Sequence, residues 1–421
     1  METTKPKPKL VQNVYLVLTL FNTLATSFIW GINTLFLLDA GLSNAEAFLA
    51  NAFFTIGQVI FEIPTGIVAD LKGRRTSYIL GTLTLSASTL LYLGAWMYHA
   101  PFWAWAISSI LLGLGYTFFS GATEAWLVDA MAHAEYKGQM ESVFAKGQAV
   151  SGIAMLAGSV AGGFIAQFTD LGVPYILRAA FLLVNFGIAF FFMRDWGFTP
   201  EKSTGIGKDV RTLFGTSIDQ GLRKPAIRWI MLGAPFASGV GFYVFYAMQP
   251  HLLNLFGDPN AYSIGGLMAA LFALTQIVGS LGAPLIRKLF ALRTTALLVG
   301  EILGVSGLLL LGVANNFWLA VGIVTVWGLL SSCIMPIRQA YLNTLIPSKQ
   351  RATVLSFDSL MGSAGGVVIQ PVLGRTADLW GYMQSFLLGG LIQALAIPLA
   401  VLARKENIRN EQLAGPEKEL A

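Results

Sequence analysis

Seven ionisable side chains stand inside long apolar runs of this sequence: Glu62, Glu124, Lys146, Arg178, Glu301, Arg338 and Asp358. A charge placed in hydrocarbon is costly, so each marks a functional position by default. The chemistry open to such groups is proton exchange, ion pairing and recognition of a polar solute. Bond-making chemistry has no such support. The three histidines, His99, His133 and His251, lie more than thirty residues from one another and none has a second His at helical spacing. No His/Asp/Ser set converges. One cysteine, Cys333, excludes an intrachain disulfide and any thiolate cluster. The stretch Gly205-Ile206-Gly207-Lys208-Asp209 lacks both the spacing and the hydroxyl of a phosphate loop. The residues therefore predict neither an enzyme, nor a metal site, nor a bound cofactor, and no nucleic-acid partner.

The elements that carry these charges follow from composition. Of 421 residues, 55% are apolar and only 12% are charged, which does not fit a water-facing surface. A spanning helix needs about 20 mostly apolar residues. Glycine, proline and charge clusters divide the chain into twelve such stretches: 14–38, 46–69, 76–98, 101–131, 140–168, 172–194, 227–254, 261–286, 294–314, 317–345, 350–374 and 380–404. They are longer than transmembrane β-strands and do not alternate in polarity. The fold class read from the sequence is thus all-α and integral to a membrane, with twelve transmembrane helices and the lipid bilayer as solvent.

Orientation follows from the basic residues, because cytoplasmic loops keep Lys and Arg. Of the 27 Lys and Arg, 23 fall in the N-tail, the C-tail and alternate connections, all on one side. The other connections, near Asp39, His99, Asp170, Asp258 and Asn315, hold almost none. Both termini are expected in the cytoplasm, in a multi-pass protein of the cell (inner) membrane. The N-tail leads into an apolar run too long for a signal peptide.

One long polar stretch divides the spans six and six. The expected organisation is a cytoplasmic N-tail (1–13), a first six-helix bundle (14–195), a cytoplasmic linker (196–226), a second bundle (227–404) and a C-tail (405–421). At an offset of 215, Gly113-Leu114 falls on Gly328-Leu329, and Glu124-Ala125-Trp126-Leu127 on Gln339-Ala340-Tyr341-Leu342. An offset of 218 places Gln58 on Gln276. Parallel six-helix repeats suit two bundles that rock about a site, although apolar helices also align by chance.

Between the second and third spans stands Gly66-Ile67-Val68-Ala69-Asp70-Leu71-Lys72-Gly73-Arg74-Arg75. It resembles the loop motif G-x-x-x-D-(R/K)-x-G-R-(R/K) of the major facilitator superfamily, and Glu62-Ile63-Pro64-Thr65-Gly66 before it resembles a variant in bacterial members, of the drug:proton-antiporter-like branch. The resemblance covers essentially the whole chain. It implies two pseudo-symmetric six-helix bundles and alternating access, with spans 1, 4, 7 and 10 lining a central cavity. It further implies that Gly66, Asp70, Gly73, Arg74 and Arg75, with Asp129 as a second acid for Arg74, form a charge cluster that stabilises one conformer. Three departures limit it. The second-half counterpart, Gly282 to Arg293, has no Asp; span four has no buried arginine at Ser109-Ile110-Leu111-Leu112-Gly113; and span five has no proline at Gly158–Gly163.

At 100° per residue, Tyr116, Ser120, Thr123 and Glu124 share one face of span four, with Asp129 on the far side. The repeat carries this stripe to Ser331, Met335, Arg338 and Gln339. Span one adds Asn22, Thr26 and Asn33, flanked by Trp30; span seven adds Phe242, Tyr246 and Gln249. Glu124 and Arg338 are the first candidates for proton coupling, with Glu62 and Asp358 next. Lys146, Arg178 and Asp358 sit on helices that pack between cavity-lining ones, and Glu301 has no assigned role. The expected function is secondary active transport of a small, amphipathic molecule, by efflux coupled to protons or another ion, in a protein that works as a monomer. Uptake or export of one metabolite is the alternative, ahead of a membrane sensor or a membrane enzyme.

Overall fold

A computed structural model describes residues 6–200, 207, 215–347 and 350–414. Residues 201–206 and 208–214 of the expected linker, and the ends of both tails, lie outside them. The described residues form helices and connecting turns, with no strand.

The chain forms two compact units, residues 1–209 with 257–273, and residues 210–256 with 274–421. In the first unit, α1 (Pro8–Trp30) and α2 (Asn33–Asp39) together make the first span, broken at Gly31-Ile32. They are followed by α3 (Asn44–Lys72), α4 (Arg74–Met97), α5 (Phe102–Thr117), α6 (Ala122–His133), α7 (Met140–Phe168) and α8 (Val173–Phe192). Each boundary has a local cause. Ser43 and Glu46 form a capping box at the start of α3, the Glu46 amide donating to Ser43 Oγ at 3.3 Å and the Ser43 amide to Glu46 Oε2 at 2.9 Å. Gly73, at φ 100°, turns the chain from α3 into α4. α1 packs on α7 and α8, α3 on α5, and α4 on α5 and α8. A core of Val11, Leu18, Tyr78, Trp126, Leu127 and Val143 fills one end of the unit.

By contact, residues 257–273, the start of the eighth span, group with the first unit, whereas the sequence expectation places them in the second bundle. Glycines make this possible. A Cβ on Gly265 would meet the carbonyl of Gly31, and one on Gly266 would meet the backbone of Ser159 and Gly163. The backbones therefore touch directly, as small residues allow between membrane helices.

The second unit contains α9 (Pro225–Phe256), most of α10 (Tyr262–Lys288), α11 (Arg293–Leu311), α12 (Phe317–Leu345), α13 (Arg351–Trp380), α14 (Tyr382–Ala394) and α15 (Ala396–Ala414). α9 packs on α13 and α15, and α11 on α12 and α14, around a core that includes Ile227, Met231, Leu297, Ile337, Val354 and Phe357.

Eleven helical segments among the described residues are long and apolar enough to cross a membrane. The remaining predicted span corresponds to α13, thirty residues long but carrying Asp358, Arg375 and Asp378. Large apolar side chains stand exposed along the spans, among them Leu90, Trp103, Ile153, Phe168, Leu281 and Leu310. In water such a surface would aggregate; in a bilayer it is the contact with lipid.

Candidate functional site

The fourth span is two helices. α5 ends at Thr117 and α6 begins at Ala122, with Gly121 in the left-handed region at φ 66°. This break decides what Ser120 and Glu124 can reach. Ser120 turns toward α3 and its hydroxyl donates to Glu62 Oε1 at 2.6 Å, so it leaves the stripe on which helical phase had placed it. Glu124 lies in the first turn of α6, where the exposed amides of a helix start favour a negative charge.

Glu124 and Thr123 line a polar chamber of about 210 Å³ inside the first unit. Its other walls are Tyr15, Thr19, Asn22 and Thr23 of α1, Tyr78 of α4, Phe119, and Gly147, Gln148 and Ser151 of α7. Hydroxyl and amide groups dominate. Glu124 is the only carboxylate, and Phe119 is the one residue with a wholly apolar ring. Asn22 Oδ1 is buried and accepts no hydrogen bond among the described residues. A buried acceptor without a donor is costly, so this atom is suited to a donor on a solute.

Beside the chamber, Thr26 Oγ1 and Tyr116 Oη lie 3.0 Å apart. Arg178, only 2% exposed, donates from Nε to Thr89 Oγ1 at 3.0 Å and from Nη2 to Tyr116 Oη at 3.4 Å. Its guanidinium carbon is 5.8 Å from the centre of the Tyr116 ring. Among the described residues no carboxylate pairs with it. Asn33 sits past the break in span one and so loses the phase of Asn22 and Thr26. It bridges instead to Asn51 at 3.0 Å and to the Tyr175 hydroxyl at 3.1 Å. Trp30 packs edge-on to Phe272, 6.4 Å between ring centres.

At the other end of α3, Arg74 Nη1 pairs with Asp70 Oδ1 at 2.5 Å, one helical turn away. Asp129, expected as a second acid for Arg74, makes no ion pair with it here among the described residues. The turn after α8 runs between them. Gly197 lies against the backbone of Asp129, and the Phe198 ring carries the Arg74 guanidinium at 5.9 Å. The acid that acts here is Asp195. Its Oδ1 accepts the Arg75 amide at 2.8 Å, at the start of α4, and its carboxylate fills the space where a Cβ on Gly73 would stand. Trp126 Nε1 fixes this turn by donating to the carbonyl of Arg194 at 2.7 Å. Burial pushes the Asp195 carboxyl above the usual carboxylate range, against the opposing pull of the Arg75 amide and guanidinium. Gly66 meets no side chain or backbone within contact distance of a Cβ.

In the second unit Arg338 and Asp358 form a two-pronged pair, Nη1 to Oδ2 at 2.6 Å and Nη2 to Oδ1 at 2.7 Å, with the Asp358 side chain nearly buried. Both terminal nitrogens of Arg338 are thus committed within the unit. Ser331, Met335 and Gln339, four residues apart, are exposed together on α12. On α9, Phe242 is partly exposed, Tyr246 stacks edge-on with Phe245 at 5.2 Å, and Gln249 is buried. Glu301 accepts a hydrogen bond from Gln393 at 3.1 Å, and exposed Lys146 reaches Gln12 at 3.5 Å.

The sequence model described as Major Facilitator Superfamily matches residues 15–369 and, again, 266–420. The chain belongs to the Major Facilitator Superfamily. Among curated superfamily members, an uncharacterized MFS-type transporter of Methanocaldococcus jannaschii is 22% identical over 379 residues, covering 89% of this chain and 93% of that one. The class B tetracycline resistance protein of Escherichia coli is 22% identical over 340 residues, covering 78% of this chain and 79% of its own length. In fold, the chain is similar to the nucleoside transporter NupG, with a TM-score of 0.75 at 11% identity over 94% of this chain and 99% of NupG. This superfamily fold has twelve helices, and the chain is a membrane transporter of a small-molecule substrate, not an enzyme.

Sequence reasoning named Asn22, Thr123 and Glu124, which the structure places around one chamber, and Thr26 and Tyr116, whose hydroxyls it places within hydrogen-bond distance. It missed Asp195, which follows an aromatic run and has no motif partner nearby in sequence. It also passed over Tyr15 and Tyr78, because phenols in apolar helices read as packing.

Proposed function

We propose that this superfamily member exports a small amphipathic molecule in exchange for protons, by alternating access. The chamber of the first unit supports the reading: one carboxylate, Glu124, shares it with the unpartnered acceptor Asn22 Oδ1, several hydroxyls and the Phe119 ring. A solute carrying a protonated amine and an apolar body satisfies all three kinds of wall. The same carboxylate can hold a proton when the solute is absent, which is what exchange requires. The name of the Escherichia coli relative, a tetracycline resistance protein, agrees with efflux.

A second reading, transport of one polar metabolite, draws on the abundance of hydroxyl groups in the chamber and on the buried Arg178 beside it. Reconstitution into liposomes with an imposed pH gradient separates the two. A panel of labelled lipophilic amines, sugars, nucleosides and amino acids is offered to wild type and to Glu124→Gln. We expect gradient-driven accumulation of amines, lost in Glu124→Gln while substrate counterflow survives, since exchange of solute for solute moves no net proton. Full gradient-driven accumulation by Glu124→Gln would make Glu124 structural. Selective transport of one neutral or anionic solute would favour the metabolite reading.

A further inference from the structure

A crevice of about 480 Å³ opens where the start of α4 meets the end of α8, lined by Arg75, Phe190, Phe191, Arg194 and Asp195. We infer that it binds the headgroup of an anionic glycerophospholipid, with an acyl chain laid along α8.

The charges favour an anion. Arg75 is held in place by two contacts: Nη2 donates to the Phe190 carbonyl at 2.7 Å and the guanidinium lies 5.2 Å from the Phe190 ring centre. Its Nε is buried and has no hydrogen-bond partner among the described residues. Arg194 is exposed, and among the described residues its backbone carbonyl accepts from Trp126 Nε1 while its side chain makes no ion pair. Two guanidinium groups therefore line the crevice as donors, a geometry suited to phosphate oxygens. The one acid in the wall, Asp195, already accepts the Arg75 amide at the start of α4, where the helix dipole offsets its charge.

The apolar part favours a lipid over a free anion. From the crevice an exposed stripe runs up α8 through Phe190, Leu183 and Ile176, spaced by seven residues, with Phe191 and Val184 beside it. Fourteen residues at 1.5 Å each make a track of about 21 Å, enough for one acyl chain to cross its half of a ~30 Å hydrocarbon core. Phosphate alone would leave that stripe unused. A basic crevice at the edge of membrane helices is the kind of place where acidic headgroups gather.

The test is native mass spectrometry of purified full-length protein released from detergent with equimolar phosphatidylglycerol, phosphatidylethanolamine and phosphatidylcholine. We expect wild type to retain phosphatidylglycerol at least tenfold over the other two. Arg194→Gln should abolish that preference and Phe191→Ser should weaken it severalfold, while Arg223→Gln, an exposed arginine elsewhere, leaves it intact. Millimolar glycerol 3-phosphate should not displace the lipid. Equal retention of the three lipids by wild type, or equal loss in Arg194→Gln and Arg223→Gln, would overturn the proposal. Displacement by glycerol 3-phosphate would overturn it in favour of a site for soluble phosphate. Because the Arg194 side chain is exposed and makes no ion pair among the described residues, its variant separates binding from folding.

Discussion

Two carboxylates show how different a buried charge can be at the residue scale. Asp358 is held by both nitrogens of Arg338, and breaking such a pair leaves an uncompensated charge, at about 3–5 kcal/mol. Asp358→Asn should therefore lower the melting temperature sharply, while the double change Arg338→Met with Asp358→Leu should recover most of the loss. A double variant no better than the single one would show that the pair does more than neutralise itself. Asp195 behaves in the opposite sense. Its folded-state carboxyl is raised by burial, so the folded protein binds the proton more tightly than the unfolded chain does. The stability that this adds is complete below the unfolded value and is lost as pH rises through the folded one. Asp195→Asn keeps an oxygen for the Arg75 amide but cannot titrate. The melting temperature of wild type minus that of Asp195→Asn should accordingly fall as pH rises above the ordinary carboxylate range. A difference that grows with pH would mean that the helix terminus outweighs burial at this site.

The elements were legible in the sequence, with ends that differ by up to about ten residues, because length and apolar composition are what a bilayer demands of a helix. The breaks were not. The apolar pattern continues unbroken through Gly31-Ile32 and through Phe118–Gly121, since hydrocarbon asks only for greasy side chains and tertiary packing decides where backbone bonds are given up. A glycine in a helical run was the available signal, and the chain has 45 of them. Ser120 and Asn33 show the consequence: helical phase assigns each to a stripe that does not continue through the break. Two glycines separate the physical reasons. A Cβ at Gly121 would meet nothing, so Gly121→Ala costs only the left-handed backbone, about 1–2 kcal/mol. A Cβ at Gly266 would run into the backbone of Ser159 and Gly163, an overpacking of about 1–3 kcal/mol. Thermal unfolding of both variants should show losses, but Gly121→Asn, which tolerates that conformation, should recover stability where Gly266→Asn makes it worse. Equal behaviour of the two asparagine variants would remove the distinction.

For the whole molecule, the distribution of basic residues predicts which loops face the cytoplasm, and the broken fourth span is where that prediction is most exposed. α5 alone has 16 residues, about 24 Å at 1.5 Å per residue, short of the ~30 Å hydrocarbon core. With α6 the segment Phe102–His133 has 32 residues, about 48 Å, which crosses with length to spare. If the break let the segment turn back instead, every loop after it would change sides. Seven spans separate Lys72, at the end of α3, from Asn315, between α11 and α12, so the two should lie on opposite faces. In a Cys333→Ser background, a cysteine at Lys72 should react only with a membrane-permeant maleimide in intact cells, and one at Asn315 with an impermeant one. Lys72 is exposed in the last turn of α3 and Asn315 is exposed in a connection, so substitution disturbs little packing. Protection of Asn315 from the impermeant reagent, with reaction after permeabilisation, would mean that the fourth span does not cross, and the orientation of the second unit would have to be reversed.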